Sequence, residues 1–112
     1  MQTAFNITDV AFSAASVAPG VVSLVVAFRI HNHGPSHVAG LVVTTDLWAN
    51  SHIAKAAFKG VGSGFELWQA SFTAPGPPVL FEFVVFCDDY GGLNSVPRIW
   101  NTNGGNRFRV KG

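Results

Sequence analysis

The chain reads as short apolar runs cut apart by glycine and proline. Val21-Val22-Ser23-Leu24-Val25-Val26-Ala27-Phe28-Arg29-Ile30 is rich in β-branched residues and is bounded by Pro19-Gly20 and Asn32-His33-Gly34-Pro35. Such a run between turns predicts a strand. Leu41-Val42-Val43-Thr44-Thr45 predicts another, entered from Gly40. Phe65-Glu66-Leu67-Trp68-Gln69-Ala70-Ser71-Phe72 follows Gly62-Ser63-Gly64 and stops before Pro75-Gly76-Pro77-Pro78. Leu80-Phe81-Glu82-Phe83-Val84-Val85-Phe86-Cys87 is almost continuously apolar, as expected of a central strand covered on most of both faces. Weaker strands are expected at Thr3 to Phe12, Ser51 to Phe58 and Arg107 to Lys111. Ile53 to Phe58 could equally form a turn of helix. No helical stripe persists over three turns, and strands spaced in this way predict an antiparallel sandwich or barrel.

The chain has 112 residues, the size of one domain spanning 1–112 with a single core. Hydrophobic residues make up 48% and charged ones 12%, which excludes a disordered tail. Seven basic and six acidic residues leave a net charge of +1 and no electrostatic footprint for nucleic acid. Cys87 is the single cysteine, so no intrachain disulfide can form. No basic-then-apolar leader opens the sequence, so no signal peptide is expected. Cytoplasmic and secreted locations both stay open, and Asn6-Ile7-Thr8 fits a glycosylation sequon. The apolar runs are too short to cross a bilayer as helices, so no membrane insertion is expected.

The candidate chemistry lies in two tryptophans with amide-rich neighbours. Trp100-Asn101-Thr102-Asn103-Gly104-Gly105-Asn106 is one unit, and Thr44-Thr45-Asp46-Leu47-Trp48-Ala49-Asn50 is the other. Aromatic faces stack on the apolar faces of sugar rings, and carboxamides both donate to and accept from hydroxyls. Trp100 and Trp48 are expected to be exposed, although each could instead be a core aromatic. Trp68, inside an alternating strand, is expected in or against the core. The Asn-Gly and Gly-Gly steps are also turn chemistry, since they tolerate positive φ.

Other residues carry less. His31 and His33 share one strand face and could hold a metal, but no carboxylate or thiolate ligand stands nearby and a solvent-facing loop is expected. His37 or His52 could bond a sugar hydroxyl. Asp88 and Asp89 are adjacent on a strand and point to opposite faces, the wrong arrangement for a glycosidase pair. Cys87 is expected to pack, and no nucleophile elbow is present. Neither catalysis nor a cofactor is expected.

Taken in order, these pieces resemble the family 21 carbohydrate-binding modules, the starch- and glycogen-binding domains. The likeness runs from about Val21 to Val110 and is carried by Arg29-Ile30-His31-Asn32, Val42 to Trp48, Phe65 to Phe72, Phe81 to Val85 and, most specifically, Trp100 to Phe108. The resemblance implies an immunoglobulin-like antiparallel β-sandwich with two glucan-contacting surfaces. Trp48 and Trp100 match aromatics of one platform, and Asn101, Asn103 and Asn106 match its polar neighbours. Phe58 and Phe65 fall where a second aromatic site lies. The family's phosphatase-docking motif is absent from this sequence. The expected function is non-catalytic binding of a polysaccharide or oligosaccharide, foremost an α-glucan. Tight retention on a polymer would need a second site or a homo-oligomer. A lectin for β-glucan or glycoprotein glycans, and a structural or protein-interaction sandwich, are the alternatives.

Overall fold

The computed structural model describes residues 6–31, 37–89 and 98–112, with the side chains of Asn6, His37 and Asp89 excepted. The turn through His33 and Pro35, the segment from Tyr90 to Pro97, and the expected strand start at Thr3 lie outside these residues.

Among the described residues, nine strands form two antiparallel sheets. They are β1 (Asn6–Ala18), β2 (Val21–His31), β3 (His37–Thr44), β4 (His52–Lys55), β5 (Ala57–Gly62), β6 (Phe65–Pro75), β7 (Leu80–Asp89), β8 (Arg98–Asn101) and β9 (Phe108–Lys111). Sheet A has the order β1-β2-β6-β5, and sheet B has the order β4-β3-β7-β8 with β9 also on β7. This is the ABED and C′CFG arrangement of an immunoglobulin-like sandwich, with β8 and β9 together taking the place of the last strand.

Strand β2 shows why the sheets pack. Val22, Leu24, Val26, Phe28 and Ile30 are sealed from solvent, while the residues between them face outward. Period-two alternation gives that strand one core face. From β7, Phe81, Phe83, Val85 and Cys87 meet it from the opposite sheet, in one core. Phe83 stacks on Phe108 at 5.2 Å between centroids, and Phe12 of β1 sets its ring on edge to both. That aromatic trio ties sheet A to sheet B.

The expected strand at Ser51 to Phe58, within which Ile53 to Phe58 could also have formed a turn of helix, is extended over β4 and the start of β5. β1 runs on to Ala18, beyond the Phe12 expected. Its second half, Ser13-Ala14-Ala15-Ser16, is too small and mixed to show a period, and only the long register with β2 makes it a strand.

Strand β7 is buried from Phe81 to Asp88 on both faces. The outward row, Glu82, Val84, Phe86 and Asp88, owes its cover to neighbouring side chains. Arg109 binds Glu82, Arg98 binds Asp88, and Trp100 lies beside Phe86. Gly40 on β3 pairs with Phe86 and leaves room for its ring: a Cβ there would come within 3.2 Å of Phe Cε1 and 2.5 Å of the Ala54 carbonyl oxygen.

Candidate functional site

The last edge of sheet B is broken in its middle. Asn101 of β8 pairs with Val85, and Phe108 of β9 pairs with Phe83. Thr102 to Arg107 must therefore leave the sheet opposite Val84 and return. The excursion closes on itself: the Thr102 carbonyl accepts from Gly105 N at 3.1 Å and Arg107 N at 2.8 Å, and Asn106 N donates to the Asn103 carbonyl at 3.2 Å. Asn103, Gly104, Gly105 and Arg107 all take positive φ. Glycine suits two of those positions because no Cβ opposes the backbone.

Two of the three asparagines hold this loop together. Asn101 Nδ2 donates to the Ile7 carbonyl at 2.9 Å, across to sheet A, while Asn101 Oδ1 accepts from Asn103 N at 3.1 Å. Asn103 Nδ2 donates to the Arg107 carbonyl at 3.0 Å. Asn106 is exposed, and its carboxamide has no partner among the described residues. Asn101, expected with Asn103 and Asn106 as a polar neighbour of the platform, has both ends of its amide bonded within the fold.

Trp100 stands on β8 directly opposite Phe86 and shares its outward face. It is 48% exposed, with its ring 6.0 Å from that of Phe86. Arg98, two residues earlier on the same face, holds Asp88 through both Nε and a terminal nitrogen and lays its guanidinium 5.3 Å from the Trp100 centroid. The ring belongs to a strand and keeps nearly half of its surface open to solvent.

Trp48 is held differently. β3 ends at Thr44, which is sealed from solvent, and the chain turns through Leu47 and Trp48, both at positive φ. The Thr44 hydroxyl accepts from Trp48 N at 3.1 Å and lies 2.7 Å from Asp46 Oδ1 and 2.6 Å from the Asn50 carbonyl. Asp46 in turn takes both the backbone N–H and the side-chain amide of Asn50, each at 2.9 Å. These bonds from Asn50, with help from Thr44, hold the Asp46 carboxyl down at about 2.

Trp48 is half-buried rather than exposed, and its indole N–H is closed off with no acceptor among the described residues. The Arg107 guanidinium lies 5.0 Å from the ring centroid. The two Trp-plus-amide units, far apart in sequence, therefore meet: a residue of one loop touches the aromatic of the other. No local signal could have paired Arg107 with Trp48. The Thr44-Asp46-Asn50 network had a signal, since Thr and Asp side chains near a strand end commonly bond the following backbone.

Phe58 and Phe65 do not form one platform. Phe58 is 52% exposed and pairs with Trp68, which is half-buried against the core. Phe65 is three residues from Trp68 and so lies on the other face of sheet A. There it sits under Arg29 at 4.3 Å and beside His31 at 5.8 Å, its ring folded across Gly62. His31 lies 2.6 Å from the Thr8 hydroxyl, and His52 stacks on Phe72 at 5.4 Å. A cavity of about 320 Å³ lined by Pro78, Val79, Leu80, Lys111 and Gly112 contains none of these rings.

No protein-family model matches the chain, and no curated protein matches it in sequence. Among solved structures, the fold is similar to the solution structure of the carbohydrate binding module of the muscle glycogen-targeting subunit of Protein Phosphatase-1. The TM-score is 0.59 at 16% identity, over 87% of this chain and 68% of that one. At this identity the likeness is one of architecture. The chain shares the antiparallel β-sandwich fold of that carbohydrate binding module.

Proposed function

We propose that the protein binds carbohydrate without catalysis, and that the outward face of sheet B around Trp100 and Trp48 takes an α-glucan of the starch or glycogen type. The observation that carries this reading is Trp100: an indole nearly half exposed on a strand beside a polar loop. The fold likeness to a module of a glycogen-targeting subunit supports it. Trp100 stacks on a pyranose face. Asn106, with its amide open to solvent, and Asn103 bond the rim hydroxyls. Asn101 anchors the loop, and Trp48 borders the platform under Arg107.

One ring on one sugar face contributes a few kcal/mol at about 25 cal/mol per Å² buried, so short oligosaccharides bind weakly. Co-sedimentation with insoluble starch, β-1,3-glucan, cellulose and chitin tests the reading. Retention on starch, reduced about tenfold or more in Trp100→Ala at unchanged melting temperature, is the expected result. Retention on β-1,3-glucan alone would replace the α-glucan assignment. Full retention by a folded Trp100→Ala would remove Trp100 from the site.

A further inference from the structure

Resting on that reading, we propose that the glycan bound here carries an acidic substituent, a carboxylate or a phosphate or sulfate ester, and that Arg107 is the residue that recognises it.

The chain has four arginines, and three of them face carboxylates. Arg29 lies 3.7 Å from Asp9, Arg98 grips Asp88, and Arg109 Nε is 2.7 Å from Glu82 Oε2. Arg107 has no carboxylate partner among the described residues. Its guanidinium lies instead against Trp48, the ring that the proposed reading sets at the border of the sugar platform. Its backbone is pinned on both sides, by N–H to the Thr102 carbonyl and by its own carbonyl to Asn103 Nδ2. The side chain is therefore delivered to this place by the loop.

The groups nearest Arg107 leave its charge free for a ligand. A guanidinium offers five N–H groups and accepts nothing. Asp46, the carboxylate of the Trp48 loop, is turned to Asn50 and Thr44. A neutral glycan offers the exposed Arg107 guanidinium only hydroxyl oxygens. A carboxylate, phosphate or sulfate presents two oxygens matched to the guanidinium fork, and such charge-assisted pairs are the strong ones.

Calorimetric titration with neutral maltoheptaose, maltoheptaose bearing a C6 phosphate ester, and maltoheptaose oxidised to a C6 carboxylate decides the matter. In low salt an acidic ligand is expected to bind about tenfold tighter than the neutral one. The ratio falls towards one in Arg107→Gln, is partly kept in Arg107→Lys, and shrinks in about 1 M salt. Preference for only one acidic ligand names the substituent. A ratio near one in the wild type overturns the proposal, as does a ratio that persists in Arg107→Gln. Neutral binding without acid preference removes this proposal alone. Absence of binding by all three ligands removes the carbohydrate reading with it.

Discussion

A hydroxyl donates one hydrogen bond and accepts two, and Thr44 uses this capacity to organise the turn that carries Trp48. Leu47 and Trp48 both sit in the left-handed region, which costs side-chain-bearing residues on the order of 1–3 kcal/mol each. The bonds among Thr44, Asp46 and Asn50 offset that strain. Asp46 makes the arrangement sensitive to acid. Its carboxyl is held at about 2, below its ordinary 3.8, by the bonds from Asn50 and Thr44. A depressed carboxyl adds stability that is complete above the unfolded value and is lost as pH falls from about 3.8 through about 2. Urea unfolding at a series of pH values should show this slope in the wild type and a shallower one in Asp46→Ala. Identical acid limbs would mean the Asn50 bonds contribute nothing in solution. Carboxyl NMR of Asp46 gives the same midpoint directly.

At the scale of elements, sheet B depends on how β3 and the split β8–β9 edge cover the outward row of β7. Gly40 is the narrow point, since β4 and the Phe86 ring both press on the space above it. A methyl group there meets the Ala54 carbonyl at 2.5 Å, too close for backbone to remain in place. Gly40→Ala should cost about 1–3 kcal/mol, the usual range for overpacking. It should appear as a lower urea midpoint at unchanged m value. Because Phe86 backs Trp100, the emission of Trp100 should move as well. An unaltered midpoint would show that β4 yields freely. The split edge has a second consequence: a six-residue loop opposite a single residue of β7 exposes polar backbone and side chains where a continuous strand would have been flat.

At the scale of the whole molecule, the two sheets meet through apolar packing and, among the described residues, a hydrogen bond from Asn101. The Phe12, Phe83 and Phe108 rings join β1 to β7 and β9. Asn101 Nδ2, reaching the Ile7 carbonyl from β8, adds a hydrogen bond between sheets. Removing that side chain leaves the part-buried Ile7 carbonyl without its partner, a cost of about 1–3 kcal/mol, while water can replace the acceptor of the exposed Asn103 N–H. Asn101→Ala should therefore lower the melting temperature by several degrees in calorimetry. Asn101→Asp keeps the acceptor for Asn103 N but sets a carboxylate oxygen against the Ile7 carbonyl, so it should not restore the wild-type stability. Equal stability of wild type and Asn101→Ala would return Asn101 to the surface role expected from its neighbours.

Much of the architecture was legible in the chain itself. The β-branched run of β2, the continuous apolar run of β7, and the glycine and proline breaks between them are local properties, and side-chain alternation converts them into faces without reference to anything distant. The exposed Trp100 beside a polar loop was legible for the same reason. Other features were decided only when the sheets closed. Trp48 came to lie half-buried, with Arg107 of the other loop 5.0 Å from its ring. Asn101 turned to the fold because Ile7 arrived within reach, and Phe58 and Phe65 parted because register put them on opposite faces. The alanine- and serine-rich half of β1 became a strand by pairing. Periodicity along the chain encodes which way a side chain points, whereas which distant group it meets depends on register and turn geometry, and these exist only in the assembled sandwich.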